Sequence, residues 1–316
     1  MRVLITEVMM EEGIQQLKEQ NIDVQYDPDL WSDREALKTK INDADAVIVR
    51  NQTRVDEELI NEGVNLKAIG RLGVGLDNIA VEEAKKRGIK VVVPRNANAT
   101  SVAEYVLAAI LNANRPLHLA NEDVKNGNWN RVKYTGNEIY KKTIGLIGLG
   151  EIAHRVAKRA KAFGMEVIGY DPFMSGYDHI ISETGVHRKT SLDEVLASSD
   201  FISIHVPLTN STKHLITHDQ FKRMKSTAYV INSSRGGIID EEALYHALKN
   251  DEVAGAYLDV LEKEPVSMNN KLIDFEGVTF TPHIAGLTDE SQMGISMLVT
   301  QEVSKLLKGE SSLCVV

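Results

Sequence analysis

Three segments of this chain carry side chains able to move a proton and grip an anion. Arg235 lies in Asn232-Ser233-Ser234-Arg235-Gly236-Gly237, Glu264 in Asp259-Val260-Leu261-Glu262-Lys263-Glu264-Pro265, and His283 in Thr281-Pro282-His283-Ile284-Ala285-Gly286. Histidine titrates near neutral pH and can act as a base toward a hydroxyl. A carboxylate can hold that imidazole in one tautomer, and arginine clamps a carboxylate with a fork of donors that lysine lacks. Alone, each has a plainer reading: a surface charge, one more loop acid, a histidine that satisfies a backbone group. All three follow apolar runs that read as strands, which places them at the ligand-binding edge of an α/β sheet.

Two glycine segments follow strands: Gly73-Val74-Gly75 and Gly148-Leu149-Gly150-Glu151-Ile152-Ala153. Only the second has the full dinucleotide-binding context, with a permitted alanine in third place, a helix after it and an acid, Asp171, about 20 residues further on. Gly148 would make the tight turn, and Gly150 would admit a pyrophosphate to the helix N-terminus. Ala153 would pack the helix on its strand. Asp171 would bind the adenosine ribose and repel a 2′-phosphate, favouring NAD over NADP. A glycine loop with a ribose-binding acid also serves methyltransferases, so the loop alone does not fix the chemistry. The loop and the three reactive residues together suit oxidation of a 2-hydroxy acid, which needs a base at the hydroxyl, a cation for the carboxylate and a group that orients the base.

Two series of alternating strands and helices must position these residues. Val3–Ile5, Ile22–Val24, Ala46–Val49, Ala68–Leu72 and Val91–Val93 form the first. Thr143–Ile147, Val167–Tyr170, Phe201–Val206, Tyr229–Asn232, Ala254–Val260 and Val278–Thr281 form the second. Such alternation predicts parallel sheets. Ser191 with Glu194 and Thr217 with Gln220 have capping-box spacing at helix starts. After Gly150, Ile152, Ala153, Val156, Ala157, Ala160 and Phe163 form an apolar helix face that Gly164 would end.

A helix over Ala99–Leu119, with Val102, Val106, Ala109, Leu111 and Ala113 apolar, is expected to bridge the series. A second, Thr288–Leu307, aligns Ile295, Leu298, Val299, Val303 and Leu306. The expected fold is therefore α/β with two doubly wound parallel-sheet domains. A Rossmann cofactor domain at 99–286 is inserted in a flavodoxin-like substrate domain made of 1–98 and 287–316, with the chemistry in the cleft between them.

The segments around Arg235, Glu264 and His283, the glycine loop, and Asn98-Ala99-Thr100-Ser101-Val102-Ala103-Glu104 resemble, in order and spacing, the D-isomer-specific 2-hydroxyacid dehydrogenase family over essentially the whole chain. The resemblance implies catalytic roles for Arg235, Glu264 and His283. It implies NAD contacts from Gly148, Gly150, Glu151, Ile152, Asp171, His205, Pro207, Thr212, Ser234 and Asp259. It also implies a homodimer through the cofactor domain, with Trp129–Tyr140 among the contacts. Departures are modest: Ala153 replaces the commoner third glycine, Leu261 stands where an aromatic is frequent, and Leu287 follows the His283 motif.

Arg50 and Arg54, in Val49-Arg50-Asn51-Gln52-Thr53-Arg54, and Arg71, in Arg71-Leu72-Gly73-Val74-Gly75, exceed what one carboxylate needs once Arg235 serves it. A small 2-hydroxy acid with a second anionic group, phosphate or sulfonate, is the expected substrate, bound by Arg50, Arg54, Arg71, Leu72, Gly73, Val74 and Gly75. Within the family the chain resembles phosphoglycerate dehydrogenases most generally, which favours 3-phosphoglycerate, and the same two loops resemble sulfolactate dehydrogenases. The regulatory domain of longer phosphoglycerate dehydrogenases is not expected. Formate dehydrogenase would need a smaller pocket, and an NAD-sensing corepressor is the rival from outside the enzymes.

Composition narrows the remaining classes. With 43% hydrophobic and 26% charged residues the chain reads as an ordinary globular protein. A net charge of −9 with scattered lysines and arginines argues against a nucleic-acid surface. Cys314, the single cysteine, excludes an intrachain disulfide and a thiolate metal cluster, so no metal and a reducing cytoplasm are expected. No apolar run is long enough for a membrane span or a signal region.

Overall fold

Buried runs such as Ala46-Val47-Ile48-Val49 have no polar face, a pattern tolerated by a strand covered on both sides. The computed structural model describes residues 1–174 and 179–316, and the chain divides into two units, 1–98 with 287–316 and 99–286. In the first unit β1 (Arg2–Ile5), β2 (Asp23–Tyr26), β3 (Ala46–Val49), β4 (Ala68–Arg71) and β5 (Lys90–Val92) form a parallel sheet of order β2-β1-β3-β4-β5. That is the flavodoxin-like order. Ends differ from the expected runs by one or two residues, since pairing extends to polar positions such as Asp23 opposite Arg2.

The helix Asp289–Leu307 returns to this unit and packs on β4 and on the helix Glu11–Glu19. Ile295, Val299, Val303 and Leu307 are buried with Ile14, Leu17 and Ile48. Leu298 and Leu306, expected on the buried face, are only half-buried. Part of the buried surface is polar instead: Ser296, Thr300 and Ser304 are buried, and Thr300 and Ser304 donate to the side-chain oxygens of Gln16 and Gln20.

In the second unit β6 (Thr143–Ile147), β7 (Glu166–Tyr170), β8 (His187–Arg188), β9 (Phe201–Ile204), β10 (Tyr229–Asn232), β11 (Gly255–Leu258) and β12 (Val278–Phe280) form one parallel sheet of order β12-β11-β10-β9-β6-β7-β8. The order reverses at β6 and β9, the switch point of a Rossmann sheet. β8 is two exposed residues and leaves no apolar run to read in the sequence. The expected strands Phe201–Val206, Ala254–Val260 and Val278–Thr281 stop early, at Ile204, Leu258 and Phe280, where the chain turns into loops.

The helix expected over Ala99–Leu119 ends at Asn114, and a second helix runs from Leu117 to Lys125. Pro116 explains the break, since it has no N–H to continue the ladder and disfavours helical geometry at Arg115. Leu111, expected on the apolar face of the helix, is exposed. The helix Glu151–Ala162 packs on Ala99–Asn114 with Ala153, Val156, Ala157 and Ala160 buried, whereas Phe163 lies past its end and is exposed. Gly164, at φ +73°, ends it. Thr217 and Gln220 form the expected capping box. Ser191 is the expected N-cap, its Oγ accepting from Glu194 N–H (3.3 Å), while the Glu194 carboxylate accepts from the hydroxyls of Thr190 and Ser191 rather than from the N-cap backbone. Among the described residues no helix is long and apolar enough to cross a membrane.

Because the C-terminal helix completes the core of the first unit, Ile295→Ala should destabilise the protein by about 2–5 kcal/mol, as truncation of a buried isoleucine does. Urea unfolding followed by circular dichroism measures this, and a midpoint unchanged from wild type would contradict it.

Candidate active site

In the second sheet Ile147 pairs with Tyr170 and Ile204, Asn232 with Ile204 and Leu258, and Leu258 with Phe280. Six strands therefore end in register. Gly148, Asp171, His205, Ser233, Asp259 and Thr281 are the residues that next leave the ladder, all at the carboxyl edge. The pairing continues briefly into the loops, with Gly148 N–H on Tyr170 O (2.9 Å) and His205 N–H on Ile147 O (2.7 Å).

The glycine loop fits a dinucleotide. Gly148 has φ +87°, and a Cβ there would stand 2.6 Å from His205 O, so only glycine makes this turn without strain. A Cβ built on Gly150 meets nothing within 4 Å, so the helix N-terminus is open to a pyrophosphate at that point. No side chain caps that helix. Asp171 accepts from Leu149 N–H (3.0 Å) and Phe173 N–H (2.9 Å), which fixes the carboxylate beside the loop with lone pairs left for ribose hydroxyls.

Thr212 and Pro207 share one turn, in which Thr212 Oγ1 donates to Pro207 O (2.5 Å), and Ser234 Oγ donates to Asn232 Oδ1 (2.9 Å). Glu151 is engaged with Arg155 at 2.7 Å, and Ile152 is half-buried. Among the described residues His205 Nε2 has no hydrogen-bond partner and is sealed from solvent, and burial pushes this imidazole down to about 4, so it is neutral at physiological pH. A neutral ring can present an uncharged face to a cofactor.

Asp259, an expected cofactor contact, also has a structural part. It is 2% exposed, and its oxygens accept from Thr281 Oγ1 (2.6 Å), Ile284 N–H (2.7 Å) and Ala285 N–H (2.8 Å). Those bonds fasten the turn that carries His283, whose own N–H donates to Asp259 O (2.9 Å). Tyr105, missed from the sequence, extends the network at 2.7 Å from Thr281 Oγ1, and burial pushes its phenol up to about 12. Since Thr281 gives its proton to the carboxylate, Tyr105 donates to Thr281. The turn needs this support because His283 has φ +56°, an unfavourable conformation for a side-chain-bearing residue.

His283 Nδ1 lies 2.9 Å from Glu264 Oε2, and Glu264 Oε1 accepts from Leu261 N–H (3.1 Å). The carboxylate can only accept, so Nδ1 carries the proton and Nε2 is left as the basic lone pair. The imidazole is 51% exposed and the carboxylate 39%, so the pair is open to a ligand. Arg235 donates to Ser234 O at 2.6 Å in a loop held by Asn232 Nδ2 on Arg235 O (2.9 Å). The next residue must be glycine, since a Cβ on Gly236 would stand 1.8 Å from Leu261 O. The Arg235 loop is thereby packed directly on the loop that leads to Glu264.

In the first unit, loops at the carboxyl ends of β3 and β4 carry the residues expected to bind substrate. Arg50 is half-buried, and Arg54 is exposed, 3.8 Å from Asp56. Arg71 is 8% exposed and lies under Gly73, where an added Cβ would meet its Nη1 at 2.6 Å. Leu72 and Gly75 are buried, while Gly73 and Val74 are half-buried. The amides of the loop after β3 are engaged, because Glu7 accepts from the N–H groups of Arg50, Asn51, Gln52 and Thr53 at 2.7, 3.2, 2.9 and 2.9 Å.

Comparison with known proteins agrees with this architecture. Residues 107–285 match the family model of the D-isomer specific 2-hydroxyacid dehydrogenase, NAD binding domain. The chain belongs to that family, and its cofactor is NAD. It is 43% identical over 309 residues to a D-3-phosphoglycerate dehydrogenase of Archaeoglobus fulgidus, covering 98% of this chain and 58% of that one. Against an (S)-sulfolactate dehydrogenase of Chromohalobacter salexigens it is 41% identical, covering 96% of this chain and 98% of that one. A crystal structure of D-lactate dehydrogenase from Aquifex aeolicus complexed with NAD and lactic acid superposes with TM-score 0.84 at 30% identity, covering 98% and 96% of the two chains. The chain thus spans little more than half the length of the phosphoglycerate dehydrogenases it matches.

The environment of His205 makes stability depend on pH. The unfolded chain takes up a proton below about 6.5 and the folded one only near about 4, so between these values the unfolded form binds more protons. Stability should therefore fall as pH falls through this window. Wild-type Tm should drop more steeply there than that of a His205→Asn variant, and parallel slopes would refute the assignment.

Proposed function

We propose that this chain is an NAD-dependent dehydrogenase acting at C2 of a D-2-hydroxy acid that bears a second anionic group, with 3-phosphoglycerate favoured. The observation that carries the reading is the 2.9 Å His283–Glu264 pair, which leaves Nε2 basic at the sheet edge where the glycine loop also opens. His283 Nε2 takes the hydroxyl proton, and Glu264 keeps the imidazole in the required tautomer. Arg235 clamps the carboxylate and polarises the developing carbonyl oxygen. Bound NAD accepts the hydride that leaves C2. In the reverse direction His283 returns the proton.

Arg50 and Arg54 in the first unit support the second anion. Sulfolactate is the specific alternative, supported by a relative named for that substrate which this chain covers almost from end to end. Exposed Trp129, Val132 and Tyr140 on one segment of the cofactor unit support a homodimer.

The test is reduction of NAD by D-3-phosphoglycerate, both enantiomers of 3-sulfolactate, D-lactate and D-glycerate. Turnover should favour the acids with a second anion, and His283→Ala should lower kcat by roughly 10²–10⁴, the usual contribution of a general base. Turnover of only the singly charged acids would remove the second-anion reading. Tight NADH binding without turnover of any acid would replace the enzyme by a sensor.

A further inference from the structure

Glu7 directly follows β1 and its neighbour Thr6, and it is only 4% exposed. An isolated carboxylate in such a place is costly unless its oxygens are satisfied. Here they are satisfied by four consecutive backbone N–H groups, Arg50 to Thr53, each within 3.2 Å. Successive amides converging on one anion form a backbone nest, an arrangement that elsewhere holds phosphate groups. In this protein the nest is filled from within.

Three carbonyls of the loop are also committed. Asn78 Nδ2 donates to Arg50 O (3.0 Å) and Thr53 O (2.7 Å). Arg34 donates to Arg54 O (2.8 Å), and the Thr53 and Thr6 hydroxyls lie 2.7 Å apart. With its amides turned inward onto Glu7, the loop offers a ligand its side chains: half-buried Arg50 and exposed Asn51 and Gln52.

We propose that Glu7 is the positioning residue of the loop that reads the substrate's second anionic group, and that the side chains of Arg50, Asn51 and Gln52 do the reading in place of the backbone amides. The proposal rests on the dianionic substrate read above. A guanidinium fork suits phosphate and sulfonate alike, provided it starts from one fixed backbone position. Four charge-assisted bonds supply that fixity, so the chain uses its own anion to order the site for a foreign one.

The test compares wild type with Glu7→Gln and Glu7→Asp in the full chain. Hydrogen exchange across Arg50–Thr53 is followed by mass spectrometry, alongside kinetics with D-3-phosphoglycerate and D-glycerate. Glu7→Gln keeps the size but loses the charge and turns an amide NH₂ toward the nest. It should speed exchange of these amides and raise KM for phosphoglycerate about tenfold relative to glycerate, as expected when charged hydrogen bonds are lost. The loss should fall on KM rather than kcat, and Glu7→Asp, which keeps the charge, should recover part of both effects.

Unchanged exchange in Glu7→Gln would overturn the assignment. So would faster exchange with KM rising equally for both acids, which would show a loop held by Glu7 that does not read the second anion. Wild-type protein that turns over only singly charged acids would overturn the substrate reading, and the exchange data alone would then decide whether Glu7 holds the loop.

Discussion

Parallel strands that share a register must leave their sheet along one edge, and the rest of this structure depends on that constraint. From β6 to β12 the ladder closes at Ile147, Tyr170, Ile204, Asn232, Leu258 and Phe280. Residues spread over more than a hundred sequence positions therefore emerge side by side. The helices and the core need only keep the strands aligned, and the loops then need only a local device to aim each side chain.

That device is the same in several places: a carboxylate accepting backbone N–H groups. Asp171 holds Leu149 and Phe173, Glu264 holds Leu261, Asp259 holds Ile284 and Ala285, and Glu7 holds four residues of the loop after β3. Charge-assisted bonds of this kind are shorter and stronger than neutral ones, so one acid can fix a loop that has no regular structure. At His283 the fixing is severe, since the residue is kept in the left-handed region while its imidazole is tied to Glu264. Orientation and tautomer are both set before a substrate arrives.

Much of this was legible in the sequence where the signal is local. The glycine loop, Asp171 at its characteristic distance and the Arg235, Glu264 and His283 segments all lie where their motifs place them, at strand ends. Periodicity found the strands because each is an apolar run, and it missed β8 because His187 and Arg188 form none. The helix over Ala99–Leu119 was read too long because its apolar pattern outlasts the backbone geometry that Pro116 permits. Roles that depend on distant partners were not legible. Nothing near Glu7 announces that it meets residues more than 40 positions away, and nothing near Asp259 shows that its oxygens accept from Thr281 and two amides. The charge of Arg71 is visible in the sequence, and its burial under Gly73 is not.

In the proposed reaction hydride leaves C2 while His283 takes the hydroxyl proton, and isotopic labelling separates those two hydrogens. A preferred substrate deuterated at C2 would be oxidised with NAD in ordinary water, and the nicotinamide product examined by NMR. Deuterium found at C4 of the reduced nicotinamide, with a slower kcat/KM for the labelled acid, is the predicted result. Deuterium released to water would mean that C2 loses a proton instead, and would contradict the assignment of His283 as the base toward oxygen.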